Sequence, residues 1–225
     1  MELAKRAFDV GLFTNNRDEL LPFWQKEVGL PFDETLRIGG GVHQLRHRIG
    51  ESILKINHSR ERLPETPASG YRALRIVAPG TDVARDLTDP DGTRVTLIPP
   101  GMDQVSQLEL AVAARSIDAH ADFYERVLGL GRLDEQRFVC GESLLALTAH
   151  PQAATNPELR GPGLRYITFQ VFDVVAEHAR ILELGGTEGR APVRLGEVAY
   201  ISFVRDPDGN WIEISQRKSL TGSLD

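Results

Sequence analysis

Histidine binds metal ions and transfers protons near neutral pH, and the 225-residue chain contains six of them. His43 and His47 are spaced so that they share one face of a strand with Leu45. Two such imidazoles could contribute to a metal site, although the spacing places no third ligand beside them. The other four are expected in exposed positions: His58 and His150 at strand ends, and His120 and His178 on solvated helix surfaces.

Other motifs for nucleophilic or phosphate chemistry are missing from the sequence. It contains no Ser-His-Asp arrangement, phosphate loop or Cys-x-x-Cys pair. The glycines at 39–41 lie between strand-like runs with no helix after them, which predicts a hairpin turn. The single cysteine, Cys140, lies in a strand-like run and is expected to be a packed thiol. One cysteine forms no internal disulfide, which fits a reducing compartment.

The composition is that of a globular protein, with 41% hydrophobic and 26% charged residues. The net charge is −6 with both signs interspersed, so a nucleic-acid partner is not expected. The one dense basic stretch, Arg46-His47-Arg48, is expected on a solvated or cavity-facing strand. Neither a signal peptide nor a run of transmembrane length is found, so we expect a cytoplasmic protein without a membrane partner.

Three pairs of segments repeat in the same order along the chain, which indicates two halves of two modules each. In the first pair Phe23–Leu30 matches Phe123–Leu130, and in the second Gly50–Leu54 matches Gly141–Leu145. In the third pair Gly70–Arg72 matches Gly163–Arg165, and Asp89–Gly92 matches Asp206–Gly209.

The periodicity within the first module of each half predicts the order β-α-β-β-β. Apolar and polar residues alternate over 107–115 as in a half-buried strand. Ser116 can cap the following helix, which ends at Gly129 or Gly131, before strands at 132–140 and 143–149. The first half repeats this order, with strands near 8–14, 35–38, 42–48 and 51–58 and a helix over about 18–28 that has Pro22 in its first turn.

The second modules of the two halves differ in length. The last module has a strand at 166–171, a helix over 174–184 capped by Asp173, and strands at 197–204 and 210–216. Its counterpart has 19 residues from Gly70 to Asp89 where the last module has 43 from Gly163 to Asp206. We therefore expect only a vestigial turn over 81–87 and no full helix between residues 79 and 88.

Two strings in the second half resemble signatures of the vicinal oxygen chelate superfamily, which includes glyoxalases, bleomycin-resistance proteins and extradiol dioxygenases. They are Ser116–Leu130 and Val204–Ile214, and the resemblance extends over residues 8–216. It implies an α+β fold in which tandem paired βαβββ modules curl around a cavity. The expected lobes are 1–102, with its second module abbreviated, and 103–225, which is expected to carry the site.

The resemblance also implies where ligands to a metal ion would lie. Carried over by position, the second half offers Glu109, Ala146, Tyr166 and Glu213, and the first half offers Asp9, Lys55, Ala73 and Thr96. The superfamily usually has histidine where this chain has Glu109 and Tyr166, so iron of the extradiol type is not expected. Lys55 adds a positive charge that makes the first set unsuited to a metal.

Three interpretations of the second set stay open. Glu109 and Glu213 could hold a hard divalent cation such as Mg²⁺, or act with Tyr166 as a metal-free acid–base group. They could also only hydrogen-bond to neighbouring strands. Thr168, Gln170 and Trp211 are the expected substrate contacts.

Three classes of function follow from these interpretations: an enzyme (dioxygenase, lyase or isomerase) acting on a small oxygenated organic molecule, a resistance-type binding protein, and a scaffold subunit without chemistry. Whether the cavity closes within one chain or in a homodimer is left open.

Overall fold

The computed structural model describes residues 1–224, whose strands form two mixed sheets. The first module consists of β1 (Asp9–Thr14), α1 (Arg17–Pro22) with a π-helical turn (Phe23–Glu27), β2 (Phe32–Arg37), β3 (Val42–Ile49) and β4 (Ser52–Ser59). The second consists of β5 (Tyr71–Val77), β6 (Arg85–Thr88) and β7 (Arg94–Ile98), followed by a 3₁₀ turn (Met102–Gln104).

The second half has the same order with more elements. Its first module consists of β8 (Leu108–Ala114), α2 (Ile117–Asp122) with a π-helical turn (Phe123–Val127), β9 (Gly131–Arg132), β10 (Arg137–Cys140) and β11 (Ser143–Ala149). The last module consists of β12 (Gly163–Gln170), α3 (Val174–Glu183), β13 (Thr187–Leu195), β14 (Ala199–Arg205) and β15 (Trp211–Arg217), and a short α4 (Lys218–Thr221) follows it.

The modules pair in a nested way, the first with the last and the second with the third. The eight-stranded sheet has the order β13-β14-β15-β12-β1-β4-β3-β2, and the seven-stranded sheet has the order β6-β7-β5-β8-β11-β10-β9. At the centre of each sheet two modules meet through an antiparallel pair, β1 with β12 and β5 with β8. Each sheet therefore takes one module from each side of the predicted boundary at 102/103, and the division into two lobes stays a prediction.

One hydrophobic core joins both sheets to the helices. Alternate residues on the central strands face it, because successive side chains of a strand point to opposite sides. Seven apolar positions on β8, β12 and β15 are fully buried in this core: Leu108, Leu110, Val112, Ile167, Phe169, Ile212 and Ile214. The predicted α+β architecture of paired modules is confirmed.

The two predicted helix caps are confirmed, but the predicted position of Pro22 in its helix is wrong. Ser116 and Asp173 cap α2 and α3 by accepting hydrogen bonds from the backbone N–H groups of Ala119 and Ala176. Pro22 is the last residue of α1, not part of its first turn, because the helix begins at Arg17. The π-helical turn that follows Pro22 also occurs after Asp122, so proline is not its cause.

The shortened second module lacks a helix, as predicted, since residues 79–88 contain only turns and β6. The expectation of a vestigial turn over 81–87 is wrong in one respect, because Arg85–Thr88 pairs with β7. Strand β13 was not predicted from the sequence, because it is an edge strand whose mostly exposed residues show no clean alternation. No helix within residues 1–224 is both long and apolar enough to cross a membrane.

Candidate functional site

Four adjacent strands of the eight-stranded sheet, β15, β12, β1 and β4, carry Glu213, Thr168, Asp9 and Lys55. The four side chains lie on the face of the sheet opposite the hydrophobic core. This face is called the inner face. Asp9 lies opposite Thr168 where β1 and β12 pair, and Thr168 lies beside Glu213 where β12 and β15 pair. Lys55 comes from β4, next to Gly11 of β1. The residues on either side of these four in the sequence are apolar and face the core, which fixes the polar side chains on the inner face.

The ammonium group of Lys55 lies at the centre of this set. Its Nζ atom donates to Thr168 Oγ1 (2.7 Å) and to Glu213 Oε2 (2.8 Å), and it lies 3.8 Å from Asp9 Oδ2. The Thr168 hydroxyl in turn donates to Glu213 Oε2 at 2.5 Å. The side chains of Lys55 and Asp9 are 5% and 0% exposed, so these charges interact with little screening by water.

Burial and the neighbouring charges act in opposite directions on the pKa values of Lys55 and Asp9. Burial lowers the pKa of Lys55, and the Glu213 and Asp9 carboxylates only partly restore it. Burial raises the pKa of Asp9, but the ammonium groups of Lys55 and Lys5 outweigh burial and hold it below its ordinary value. Asp9 is therefore an anion at neutral pH, and Lys5 forms an ion pair with it.

Tyr166 lies across β1 because residue 11 is a glycine. A Cβ atom on Gly11 would come within 2.1 Å of a ring carbon of Tyr166. The phenol oxygen accepts hydrogen bonds from Asn57 Nδ2 (3.1 Å) and Gln44 Nε2 (3.4 Å). Burial, with the nearby charge of Glu213, raises the pKa of Tyr166, so the phenol keeps its proton.

An aromatic cluster fills one end of the inner face. Its buried members are Phe13, Val42, Leu63, Tyr166, Phe203 and Trp211. Trp211, an expected substrate contact, packs edge-on against Phe203 with ring centroids 5.7 Å apart. Its indole Nε1 donates to the carbonyl oxygen of Pro157 (2.8 Å), so the ring is held by the protein itself.

A cavity of about 380 Å³ lies at the other end of the inner face. Its walls include Asp9, Gln170, Arg46, Arg217 and Glu34. Gln170, a second expected substrate contact, is 1% exposed, and its Nε2 donates to Asp9 Oδ2 (3.3 Å). Asp9 thus connects the cavity to the Lys55–Glu213 pair behind it.

Glu109 does not join this set, contrary to expectation. It lies on β8 in the seven-stranded sheet, whereas Glu213 lies on β15 in the eight-stranded one. Glu109 Oε1 accepts a hydrogen bond from Arg75 Nη1 (2.8 Å), and β5, which carries Arg75, is paired with β8. The expected pairing of two carboxylates around one cavity does not occur, because nested pairing puts the third and fourth modules in different sheets.

Each sheet instead combines residues from the two sets predicted for the first and second halves. Asp9 and Lys55 from the first half meet Tyr166 and Glu213 from the second half on the eight-stranded sheet. Ala73 and Thr96 share the seven-stranded sheet with Glu109 and Ala146.

The two helix histidines are less exposed than the sequence suggested, whereas His150 is exposed as expected. His120 and His178, expected on solvated helix faces, are 0% and 3% exposed. His120 Nε2 lies 3.5 Å from Asp206 Oδ2 and 3.7 Å from Asp208 Oδ2, in the turn between β14 and β15. His47 is also fully buried, and its ring hydrogen-bonds to Gln25 (3.0 Å).

A divalent cation does not fit the inner-face set. Lys55 Nζ already lies between the carboxylates that such an ion would bind, and it would repel a second positive charge. The described residues also contain no group of three or more His, Cys, Asp or Glu side chains that could hold a metal ion.

The second half of the chain matches a known family. Residues 105–214 match the model of the Glyoxalase/Bleomycin resistance protein/Dioxygenase superfamily. A Synechocystis sp. protein described as "Probable lactoylglutathione lyase" is 26% identical over 125 residues, which cover 50% of this chain and 95% of that protein.

Solved structures are similar over nearly the whole chain. Glyoxalase I from Zea mays superposes with a TM-score of 0.78 at 15% identity, covering 96% of each chain. A putative dioxygenase from Bacillus subtilis superposes with a TM-score of 0.72 at 12% identity, covering 100% of this chain and 91% of that one. At this identity the likeness to the solved structures establishes the fold. The resemblance to the vicinal oxygen chelate superfamily is confirmed by the family match of residues 105–214.

Proposed function

We propose, since residues 105–214 match the glyoxalase/bleomycin resistance protein/dioxygenase superfamily, that the chain is an enzyme acting on a small oxygenated organic molecule. The reaction is a lyase or isomerase step driven by proton transfer. The substrate binds in the inner-face cavity of the eight-stranded sheet, and no divalent metal ion takes part.

The observation that carries this proposal is the position of Lys55 between Asp9 and Glu213. An ammonium group there supplies the positive charge that would otherwise come from a bound cation. Because burial lowers the pKa of Lys55, the group can also release a proton more readily than an exposed lysine. Both properties suit acid–base chemistry on an oxygen-bearing substrate.

The hydrogen bonds support a separate role for each side chain in the proposed reaction. Lys55 donates to Thr168, and Thr168 donates to Glu213, so a proton can pass between Lys55 and Glu213 without crossing water. Asp9 lines the cavity and faces the substrate. Tyr166, which stays protonated, positions the set through Asn57 and Gln44.

A second candidate, a binding protein without catalysis, is favoured by one specific observation. Asp9 is already paired with Lys5 and Lys55, and Glu213 is paired with Lys55. Carboxylates neutralised in this way are weaker bases than free ones. Turnover separates the two candidates, because a binding protein retains its ligand unchanged.

The test uses full-length protein treated with EDTA. It is assayed for turnover of lactoylglutathione, after the name of the Synechocystis relative, and of a panel of small hydroxy acids and keto acids. We expect turnover of at least one compound, unchanged by EDTA and by added Mg²⁺, Mn²⁺, Ni²⁺ or Zn²⁺. Turnover that requires an added metal contradicts the metal-free site, and binding without turnover across the panel supports the second candidate.

A further inference from the structure

We propose that the guanidinium groups of Arg46 and Arg217 form a subsite for the carboxylate of a small hydroxy acid, which Glu34 occupies in the free protein. This inference rests on the proposed function, because it names the class of substrate for the same cavity. The bound hydroxy acid would direct its carboxylate to the two arginines and its hydroxyl to Gln170.

Arg46 is a buried cation with unused hydrogen-bonding capacity. It is 7% exposed, lies on β3 and lines the cavity. Its Nη1 donates to Gln44 Oε1 (3.2 Å), but its buried Nε makes no hydrogen bond within the described part of the chain, although Glu34 forms an ion pair with it. A buried N–H of a charged group without a hydrogen bond is costly, and an incoming carboxylate that is aligned with this N–H would supply one.

Arg217 brings a second guanidinium to the same cavity from β15. Its Nε is likewise buried and lacks a hydrogen-bond partner in residues 1–224. Burial and the charge of Arg46 both lower the pKa of Arg217, so the two cations repel each other. An anion placed between them removes this repulsion.

Glu34 holds that position in the free protein, but only loosely. Its Oε1 lies 3.3 Å from Arg46 Nε and 3.9 Å from Arg217 Nη2. Its side chain is 45% exposed on the edge strand β2, so it can turn out into solvent at little cost. A ligand carboxylate that replaces it gains both guanidinium partners.

Gln170 is the reason why the proposed ligand carries a hydroxyl group as well as a carboxylate. Its Nε2 is engaged with Asp9, while its buried Oε1 has no partner among residues 1–224. An amide oxygen only accepts hydrogen bonds, so the matching ligand group is a donor such as a hydroxyl. A carboxylate and a hydroxyl on one small molecule fit the 380 Å³ cavity.

Binding of glycolate, lactate and malate to the full-length protein tests this subsite, with glycolamide, lactamide and malamide as uncharged controls. Calorimetry is expected to detect the acids and not the amides. Arg46→Gln and Arg217→Gln should each weaken acid binding by about tenfold or more, as expected for a lost charge-assisted hydrogen bond. Arg62→Gln, at an exposed arginine paired with Glu65, should leave binding unchanged.

Glu34→Gln keeps the proposal testable even if an arginine variant fails to fold. Removing the competing carboxylate should strengthen acid binding by about threefold to tenfold, since an exposed ion pair is worth at most about 1 kcal/mol. Equal binding of acids and amides, or weaker binding to Glu34→Gln, would overturn the subsite. If the acids bind as described but none is turned over, the subsite stands and the proposed enzyme activity fails.

Discussion

Lys55 and Glu213 occupy equivalent positions in the first and last modules, and their side chains meet with Nζ 2.8 Å from Oε2. Lys55 lies beside Gly11 of β1, and Glu213 lies beside Thr168 of β12. Two carboxylates at these equivalent positions would repel each other unless a cation joined them. With a lysine at one position, the pair carries its own counter-charge.

Removing this counter-charge should destabilise the protein. Lys55→Met leaves Asp9, which is fully buried, and Glu213, whose side chain is 13% exposed, without their shared partner. We expect a loss of about 3–5 kcal/mol in the free energy of unfolding. The double variant Lys55→Met/Glu213→Gln should recover part of that loss. Urea unfolding of the wild type and the three variants, including Glu213→Gln alone, measures the coupling. Additive effects would contradict a direct ion pair.

Replacing the positive charge at position 55 by a negative charge should create a binding site for a cation. Lys55→Glu places a third carboxylate next to Asp9 and Glu213, and oxygen ligands of this kind bind Mg²⁺ and Ca²⁺. Calorimetry with either ion is expected to show binding to Lys55→Glu and none to the wild type. Stoichiometric Mg²⁺ binding to the wild-type protein at this site would show that Lys55 does not exclude a cation.

Turnover should depend on Glu213 and not on Glu109. Glu213→Gln keeps the size and hydrogen-bonding capacity of the side chain but removes its charge. For a panel substrate that is turned over, we expect kcat to fall by about 10²–10⁴-fold. Glu109→Gln is the matched control, because Glu109 pairs with Arg75 on the other sheet. Turnover that survives Glu213→Gln would place the chemistry elsewhere.

The stability of the protein should depend on pH through His120. Burial lowers the pKa of His120, but the nearby Asp206 carboxylate and further contacts outweigh burial and raise it overall. A raised pKa means that protonated His120 stabilises the fold below its unfolded pKa of about 6.5. That contribution is lost as the pH rises through the higher folded pKa.

The matched variant is His120→Leu, because the repeat places Leu20 at the equivalent position of the first half. The difference in free energy of unfolding between wild type and variant should be largest below about pH 6 and shrink as the pH rises. Unfolding in urea at a series of pH values measures it. A difference that stays constant with pH would show that His120 acts only through packing.

Residues 103–225 expressed alone should form a homodimer. In the intact chain β8 pairs with β5 and β12 pairs with β1, so the fragment lacks both partners. Two copies can replace them by pairing β8 of one copy with β12 of the other, since unpaired strand edges associate. Sedimentation of the fragment measures its mass. A folded monomer would support the second half as an independent lobe.

Local features of the sequence are enough to predict most of the elements. Ser116 and Asp173 are predictable as caps because capping depends on the few residues around a helix start. The buried faces of β8, β12 and β15 follow from alternation. Strand β13 escapes prediction because its exposed residues give no such signal.

The site is predictable only in part, because it depends on contacts between residues far apart in the sequence. Nothing in the local pattern of β1 indicates that it pairs with β12, so Lys55 is assigned to one set and Glu213 to another. The same limit applies to His120, which is buried by a turn from the last module. The repeat itself is a usable signal, since equivalent modules permit nested as well as adjacent pairing.

Nested pairing also sets the order in which the chain can fold during its synthesis. The second and third modules are neighbours in sequence and can complete the seven-stranded sheet before the last module leaves the ribosome. Until β12 emerges, β1 has one edge without its final partner, and such an edge is prone to pair with other chains. We therefore expect the nascent protein to stay prone to aggregation, and dependent on chaperones, until β12 has been synthesised, even after the seven-stranded sheet is complete.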